Sequence, residues 1–193
     1  MILASQSRAR QTLLASAGIG FEAVAADIYE RAVQEASGRS IPGDIAALLA
    51  REKALSVSTR RPGNFVIGAD QTLALGTRLF TKPDSRAQAA EQLRALAGRS
   101  HELHSAVAVA RGGKILFEAA DIARMTMRRL GEAEIEAYLN EAGAAVTSSV
   151  GAYQLEGLGV HLFERVEGDH FTILGLPLLA LLAFLRSERL LAV

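Results

Sequence analysis

The sequence predicts an α/β fold built on a mixed, twisted sheet. Three observations predict it. Short apolar runs of strand type alternate with runs of helix type, two long β-type runs meet at a Gly-Gly turn, and half of the residues are apolar while 22% are charged. With 193 residues the chain is long enough to bury a substantial core. It has no internal repeat and no low-complexity linker, so one domain over 1–193 is expected.

The elements follow in order. Ile2 to Ala4 read as a short strand, Ser7 as a helix N-cap, and Leu13, Leu14 and Ala17 as a buried stripe ending at Gly18. Phe21 to Ala26 reads as a strand and Asp27 to Ser40 as a polar loop carrying Asp27, Glu30, Arg31 and Glu35. Asp44 is placed as the cap of a helix through Ser58, with Ile45, Leu48, Leu49 and Leu55 on its apolar side. Phe65 to Ala69 is a buried-type strand expected to end on Asp70. The stretch Leu73 to Phe80 turns at Gly76, and Asp84 is placed as the cap of a helix that stops at Gly98. Leu103 to Ala110 and Ile115 to Met127 form a hairpin across Arg111-Gly112-Gly113-Lys114, followed by a helix from Glu132 to Asn140. Val150 to Tyr153, a glycine-rich loop, a second hairpin around Gly168 and an apolar helix complete the chain.

Composition excludes several functions. Lys plus Arg equals Asp plus Glu, so the net charge is zero and no global basic field draws nucleic acid. There is no cysteine, hence no disulfide, thiolate catalysis or cysteine zinc site. The apolar window Ile173 to Leu185 falls short of the roughly 20 residues a bilayer requires and reads as a buried helix with Pro177 in its first turn. Gln6, Ser7, Arg8 and Arg10 interrupt any signal-type run, so a cytoplasmic location is the expectation.

The chemistry-bearing residues are few. Arg8 and Arg10 stand in the first turn of a helix, at the end where the backbone dipole disfavours cations, which points to a missing anion. In Val66-Ile67-Gly68-Ala69-Asp70-Gln71-Thr72 a buried strand delivers a carboxylate to the place where open α/β sheets gather ligands, with Gly68 and Ala69 keeping the approach narrow. Read alone, Asp70 is equally a turn acid. Lys53, Lys82 and Glu30 read alone are surface residues, although Pro83 restricts the backbone of Lys82 and aims its side chain. Together, two acids, two lysines and the Ser7/Arg10 helix start compose a phosphate site: carboxylates for a divalent cation, cations and helix N–H groups for phosphate oxygens. Gly157-Leu158-Gly159 lacks the dinucleotide-binding spacing, and no Walker A run or hydrolase serine elbow occurs. His101, His104, His161 and His170 form no metal-ligand spacing and read as structural, His101 and His104 on opposite faces of one strand.

These segments resemble the Maf family of nucleoside triphosphate pyrophosphatases. The matched runs are LASQSRARQTLL at the start, LAREKA around Lys53, VIGADQT, TKP at Lys82, LAGRSHELHSAV to Val107, LGEAEIEAYL to Leu139 and GAYQLEGLGVHLFERVEGDHFTILGLPL to Leu178. The resemblance implies two lobes flanking a deep cleft, an architecture related to inosine triphosphatase, and a homodimer. It implies hydrolysis between the α and β phosphates of a nucleoside triphosphate with Mg2+ or Mn2+. Family positions map onto Asp70 as catalytic base, Asp70 and Glu30 as metal ligands, and Ser5, Arg10, Lys53 and Lys82 as phosphate-binding residues. Substrate choice maps onto Ala9, Gln71, Thr72 and Glu156. The chain departs from the family pattern where Arg8 replaces proline, Ala9 replaces a residue associated with base selection, and Tyr29 stands in an acid pair that often reads D-E. Glu156 and the run LFERVEG are similar to the subfamily acting on 7-methyl-GTP, and one carboxylate can accept both N–H groups of a guanine edge. Two other readings stay open: a nucleotide-binding regulator of septum formation without turnover, and an interaction module with an apolar C-terminal helix.

Overall fold

The computed structural model describes residues 1–191, so residues 192 and 193 of the expected domain lie outside it. The chain forms two compact units. The first comprises Met1–Gln71, His104–Ile122 and the segment from Asp169 onward; the second comprises Thr72–Leu103 and Ala123–Gly168.

In the first unit β1 (Ile2–Leu3) lies between two parallel partners, β2 (Glu22–Ala23) and β3 (Val66–Leu75), with Ile2 opposite both Glu22 and Val66. Beyond β3 come β5 (Ser100–Arg111) and β6 (Lys114–Met127), whose turn uses Gly112 and Gly113 at φ 57° and 74°, as a two-residue hairpin requires. Helices cover both faces. α1 (Arg8–Ser16) and α7 (Leu178–Ser187) set Leu13, Leu14, Leu178, Leu181 and Leu185 against Ile67, Ala69, Val107 and Val109. α3 (Pro42–Arg60) sets Ala46, Ala50 and Ala54 against Ala106, Ala108 and Ala110, and Val57 against Ile2 and Val66. All-alanine contacts let a helix lie unusually near a sheet, and Gly68 completes the approach. A Cβ there would stand 2.2 Å from the Ala50 carbonyl oxygen and 2.6 Å from the Ala54 nitrogen. α2 (Glu30–Ser37) packs on α3, and α6 (His170–Ile173) precedes α7.

In the second unit the end of β3 pairs antiparallel with β4 (Arg78–Phe80), and the end of β6 pairs antiparallel with β7 (Phe163–Glu167) across a bulge at Thr126/Met127. α4 (Arg86–Leu96) and α5 (Glu132–Ala142) pack together and contribute Leu93, Leu96, Ile135 and Leu139 to its interior. His101 and Tyr153 are joined there by a 2.7 Å bond between Nε2 and the phenol oxygen, with Phe163 edge-on to Tyr153.

The mixed α/β sheet agrees with the sequence reading; several local boundaries do not. Residues 30–37, read as loop, are helical: Arg31 and Glu35 pair across one turn at 3.0 Å and Gly38 closes the helix at φ 64°. None of the residues of α2 is buried, and its apolar side consists only of Ala32, Val33 and Ala36, too short and small a set to stand out in a polar run. β3 passes through Asp70 instead of ending there, because Leu73 and Ala74 continue the buried run to the Gly76 turn. α3 begins three residues earlier than expected, with Ile41 as its cap, Pro42 at its first position and Asp44 inside its first turn. The cap of α4 is Ser85, whose hydroxyl accepts from the Gln88 amide. Ala17 is exposed; the apolar contact after the Gly18 turn is made by Ile19, whose amide bonds the Leu14 carbonyl. β2 is two residues long. No hairpin forms around Gly168, since β7 pairs back with β6 and the chain then enters α6. Val150–Ala152, left without a type in the sequence reading, is a 3-10 turn with Gly151 at φ 81°. The expected C-terminal helix is divided, α7 starting only after Pro177.

Candidate functional site

The first unit gathers an ionic cluster from three elements. β3 alternates its faces, so Val66, Gly68 and Asp70 point towards α3 while Ile67, Ala69 and Gln71 point the opposite way. The close approach at Gly68 therefore brings α3 to the level of Asp70, and Lys53 meets it there. Lys53 Nζ stands 2.5 Å from Asp70 Oδ1 and 2.7 Å from Glu30 Oε1. Glu30 is the first residue of α2, so an acid occupies the end of that helix where the dipole favours it. One ammonium thus holds two carboxylates, Lys53 and Asp70 buried and Glu30 open to solvent.

A second cation stands behind the first. Arg10, in α1, is buried at 9% exposure without a salt bridge to any acid among the described residues. Its Nε donates to the Gly175 carbonyl at 2.8 Å, and its Nη1 donates to the Ala69 carbonyl at 2.9 Å and the Ser5 hydroxyl at 3.3 Å. Ser5 Oγ also accepts from the Ser7 amide. Gly175 sits at φ 92°, a backbone conformation that favours glycine, and a Cβ there would press on the guanidinium at 3.3 Å.

Burial sets the protonation of both groups. It pushes the Asp70 carboxyl above its ordinary value; the charges on Lys53 and Arg10 and the Lys53 hydrogen bond oppose the rise, while Glu30 adds to it. Burial also pulls the Arg10 guanidinium below its ordinary value, against the opposing charges of Asp70 and Glu30. Of the charges that oppose the burial of Asp70, the Lys53 ammonium at 2.5 Å is the strongest.

Gln71, on the face of β3 opposite Asp70, donates through its amide nitrogen to the Ser105 hydroxyl at 2.9 Å and to the Thr172 and Ile173 carbonyls at 3.1 and 3.0 Å. Ala9 lies half-buried in α1 beside Arg8, which is exposed, so of the two first-turn arginines only Arg10 is buried in the site. Of the sequence-derived residues the first unit therefore contains Ser5, Ala9, Arg10, Glu30, Lys53, Asp70 and Gln71. Thr72, Lys82 and Glu156 belong to the second, Lys82 and Glu156 both exposed. His101 and His104 are buried, and among the described residues no group of three or more His, Cys, Asp or Glu side chains can hold a metal. Sequence reasoning missed the parts played by Ser105, Thr172 and Gly175. The only local signal was the run Thr172-Ile173-Leu174-Gly175, and its polar partners lie far away in the chain.

The Maf-like protein family matches residues 1–188. A nucleoside triphosphate pyrophosphatase of Bradyrhizobium diazoefficiens is 70% identical over all of this chain and 96% of its own length, and one of Rhodopseudomonas palustris is 69% identical over the same shares. A 7-methyl-GTP pyrophosphatase of Brucella abortus is 50% identical over 98% of this chain and 96% of its own. Among solved structures, a HAM1 protein from Coxiella burnetii covers 67% of this chain and 73% of its own at 18% identity and a TM-score of 0.43. Full-length agreement at this identity, on a chain whose buried Lys53–Asp70 pair falls inside the matched runs, places the protein: it belongs to the Maf family.

Proposed function

We propose that this protein is a nucleoside triphosphate pyrophosphatase, converting a nucleoside triphosphate and water to the monophosphate and pyrophosphate. The observation that carries the reading is the buried Asp70 carboxylate held by Lys53, with Glu30 on the same ammonium. Phosphoryl transfer asks a protein chiefly to place groups and neutralise charge. Lys53 presents a cation already fixed between two acids, and polyphosphate oxygens can share it. Asp70 is the base: its free oxygen orients the attacking water towards the α-phosphorus and takes the proton as the bond to the bridging oxygen breaks and pyrophosphate leaves. A carboxyl whose affinity for protons is raised by burial is a better acceptor than one in water.

The donor set fits a divalent cation of the Mg2+ or Mn2+ kind that arrives with the polyphosphate, since such ions are commonly held by one or two carboxylates plus substrate phosphates. Asp70 and Glu30 are the residues to hold it, converging as they do on one cationic position. Bound there, it withdraws charge from the phosphate oxygens. Ser5, Arg10 and Lys82 are proposed as phosphate-binding, and Ala9, Thr72 and Glu156 as substrate-selecting, on the strength of the family resemblance. The name of the Brucella relative and the acid at Glu156 together favour 7-methyl-GTP or another guanine-type nucleotide. The same resemblance supports a homodimer working in the cytoplasm; no described helix is long and apolar enough to cross a membrane.

Product identification tests the reaction. Incubated with 7-methyl-GTP, GTP, dTTP and UTP, with and without Mg2+ or Mn2+, the protein is expected to release monophosphate and pyrophosphate in equal amounts and to turn over the methylated guanine nucleotide fastest. Diphosphate plus orthophosphate as products, or tight binding without release, contradicts it.

A further inference from the structure

The residues on either side of Asp70 are both tied to one short segment. Before it, Arg10 bridges the Ala69 carbonyl to the Gly175 carbonyl. After it, the Gln71 amide bonds the Thr172 and Ile173 carbonyls. Ser105, fully buried on β5, locks the second tie: its hydroxyl donates to the Thr172 carbonyl at 2.7 Å and accepts from Gln71 at 2.9 Å. The Thr172 hydroxyl in turn donates to Asp121 on β6 at 2.8 Å. Two carbonyl acceptors fix which end of the Gln71 amide faces them, because only the nitrogen carries hydrogens.

We propose that segment 172–175, engaged by Gln71 and Arg10, is a clamp that sets the position of Asp70, and that Gln71 acts through its amide nitrogen as a positioning residue. The inference rests on the pyrophosphatase reading for its consequence, though not for its geometry. Gln71 projects from the face of β3 opposite Asp70, and its amide hydrogens are consumed by three acceptors. A side chain committed in this way has no N–H to offer a base without abandoning buried carbonyls. What it controls is the backbone on the C-terminal side of Asp70, as Arg10 controls the N-terminal side. A shift of about 1 Å in a group that aligns a nucleophile is worth on the order of a hundredfold in rate.

Gln71→Met keeps the side chain's length and removes its donors; Ser105→Ala is the milder variant should the first fold poorly. For both, kcat is expected to fall, by on the order of a hundredfold for Gln71→Met. KM, the Kd for an α,β-methylene nucleotide measured by calorimetry, and the preference for 7-methyl-GTP over UTP are each expected to stay within about twofold of wild type, because the donors removed from Gln71 and Ser105 bond the protein and not the nucleotide. In the nucleotide-free protein, amide hydrogen exchange at Asp70 and Gln71 is expected to speed up in both variants. A preference changed about tenfold with kcat retained makes Gln71 a base-reading residue and overturns the clamp; so does unchanged kcat. If the wild type releases no pyrophosphate from any nucleotide, the pyrophosphatase reading fails, and the clamp is then judged on exchange alone: unaltered protection in Gln71→Met overturns it.

Discussion

At the scale of single residues, burial decides what each ionisable group does. His101 is the plainest case. It is 1% exposed, its Nε2 bonds the Tyr153 phenol, and its Nδ1 finds no partner among the described residues. Burial pulls its pKa from 6.5 down to about 4, so the fold holds it neutral while the unfolded chain takes up a proton below pH 6.5. Its contribution is fully present above pH 6.5 and is lost as pH falls towards 4, at a cost of about 2 kcal/mol between pH 7 and pH 5. Urea titrations at those two pH values are expected to give a smaller difference for His101→Gln than for wild type; an equal difference shows that His101 does not titrate in this way. Arg10 is the opposite case, a buried cation whose acceptors are backbone carbonyls. Arg10→Met leaves the Gly175 and Ala69 carbonyls without their donors and is expected to cost roughly 3 kcal/mol in denaturant stability. An unchanged midpoint would place those carbonyls in contact with water.

At the scale of elements, the site exists because one helix lies close to one strand. Ala46, Ala50 and Ala54 on α3 and Gly68 on β3 remove the side chains that hold a helix away from a sheet, and the Lys53–Asp70 contact follows. Gly68→Ala sets a methyl group against the α3 backbone, which has no rotamer by which to yield. The expected loss is about 3 kcal/mol, read as a lower denaturation midpoint, and turnover should fall further than stability because Lys53 moves with its helix. A stable, fully active Gly68→Ala protein would mean that the helix shifts freely. The elements also mark what could be read from the chain. Lys53, Asp70 and Glu30 were legible because each sits in a run of specific neighbours, and the Gly112-Gly113 hairpin because its turn chemistry is local. α2 was not, since its apolar side is only Ala32, Val33 and Ala36, and its other signals are an Arg31–Glu35 pair and a terminal glycine. The end of β3 was misplaced because an acid in a buried run reads as a boundary, whereas here Lys53 stabilises it inside the strand. The ties of Gln71 to Thr172 and Ile173 could not be read at all. No local pattern records which distant carbonyl will accept an amide, nor that β7 returns to β6.

At the scale of the whole molecule, charge is balanced. Twenty-one basic and twenty-one acidic residues leave no net field to steer an anionic nucleotide, so attraction must come from the few cations of the site. Such short-range attraction inside a buried cluster is weakly screened. Raising salt from about 0.05 to 0.2 M is therefore expected to lower kcat/KM by no more than about threefold, a range set by a Debye length of roughly 10 Å. A tenfold or larger fall would reveal long-range steering that the composition does not supply. With both lysine and carboxylate already in place around Asp70, the chemistry depends on one oxygen of one side chain. The most direct measurement is pyrophosphate release by Asp70→Asn beside wild type, with circular dichroism and thermal unfolding on the same samples. The expected result is a folded variant whose turnover has fallen by a hundredfold or more, about 3 kcal/mol of lost transition-state stabilisation. Pyrophosphate release near the wild-type rate from a folded Asp70→Asn protein would contradict the account.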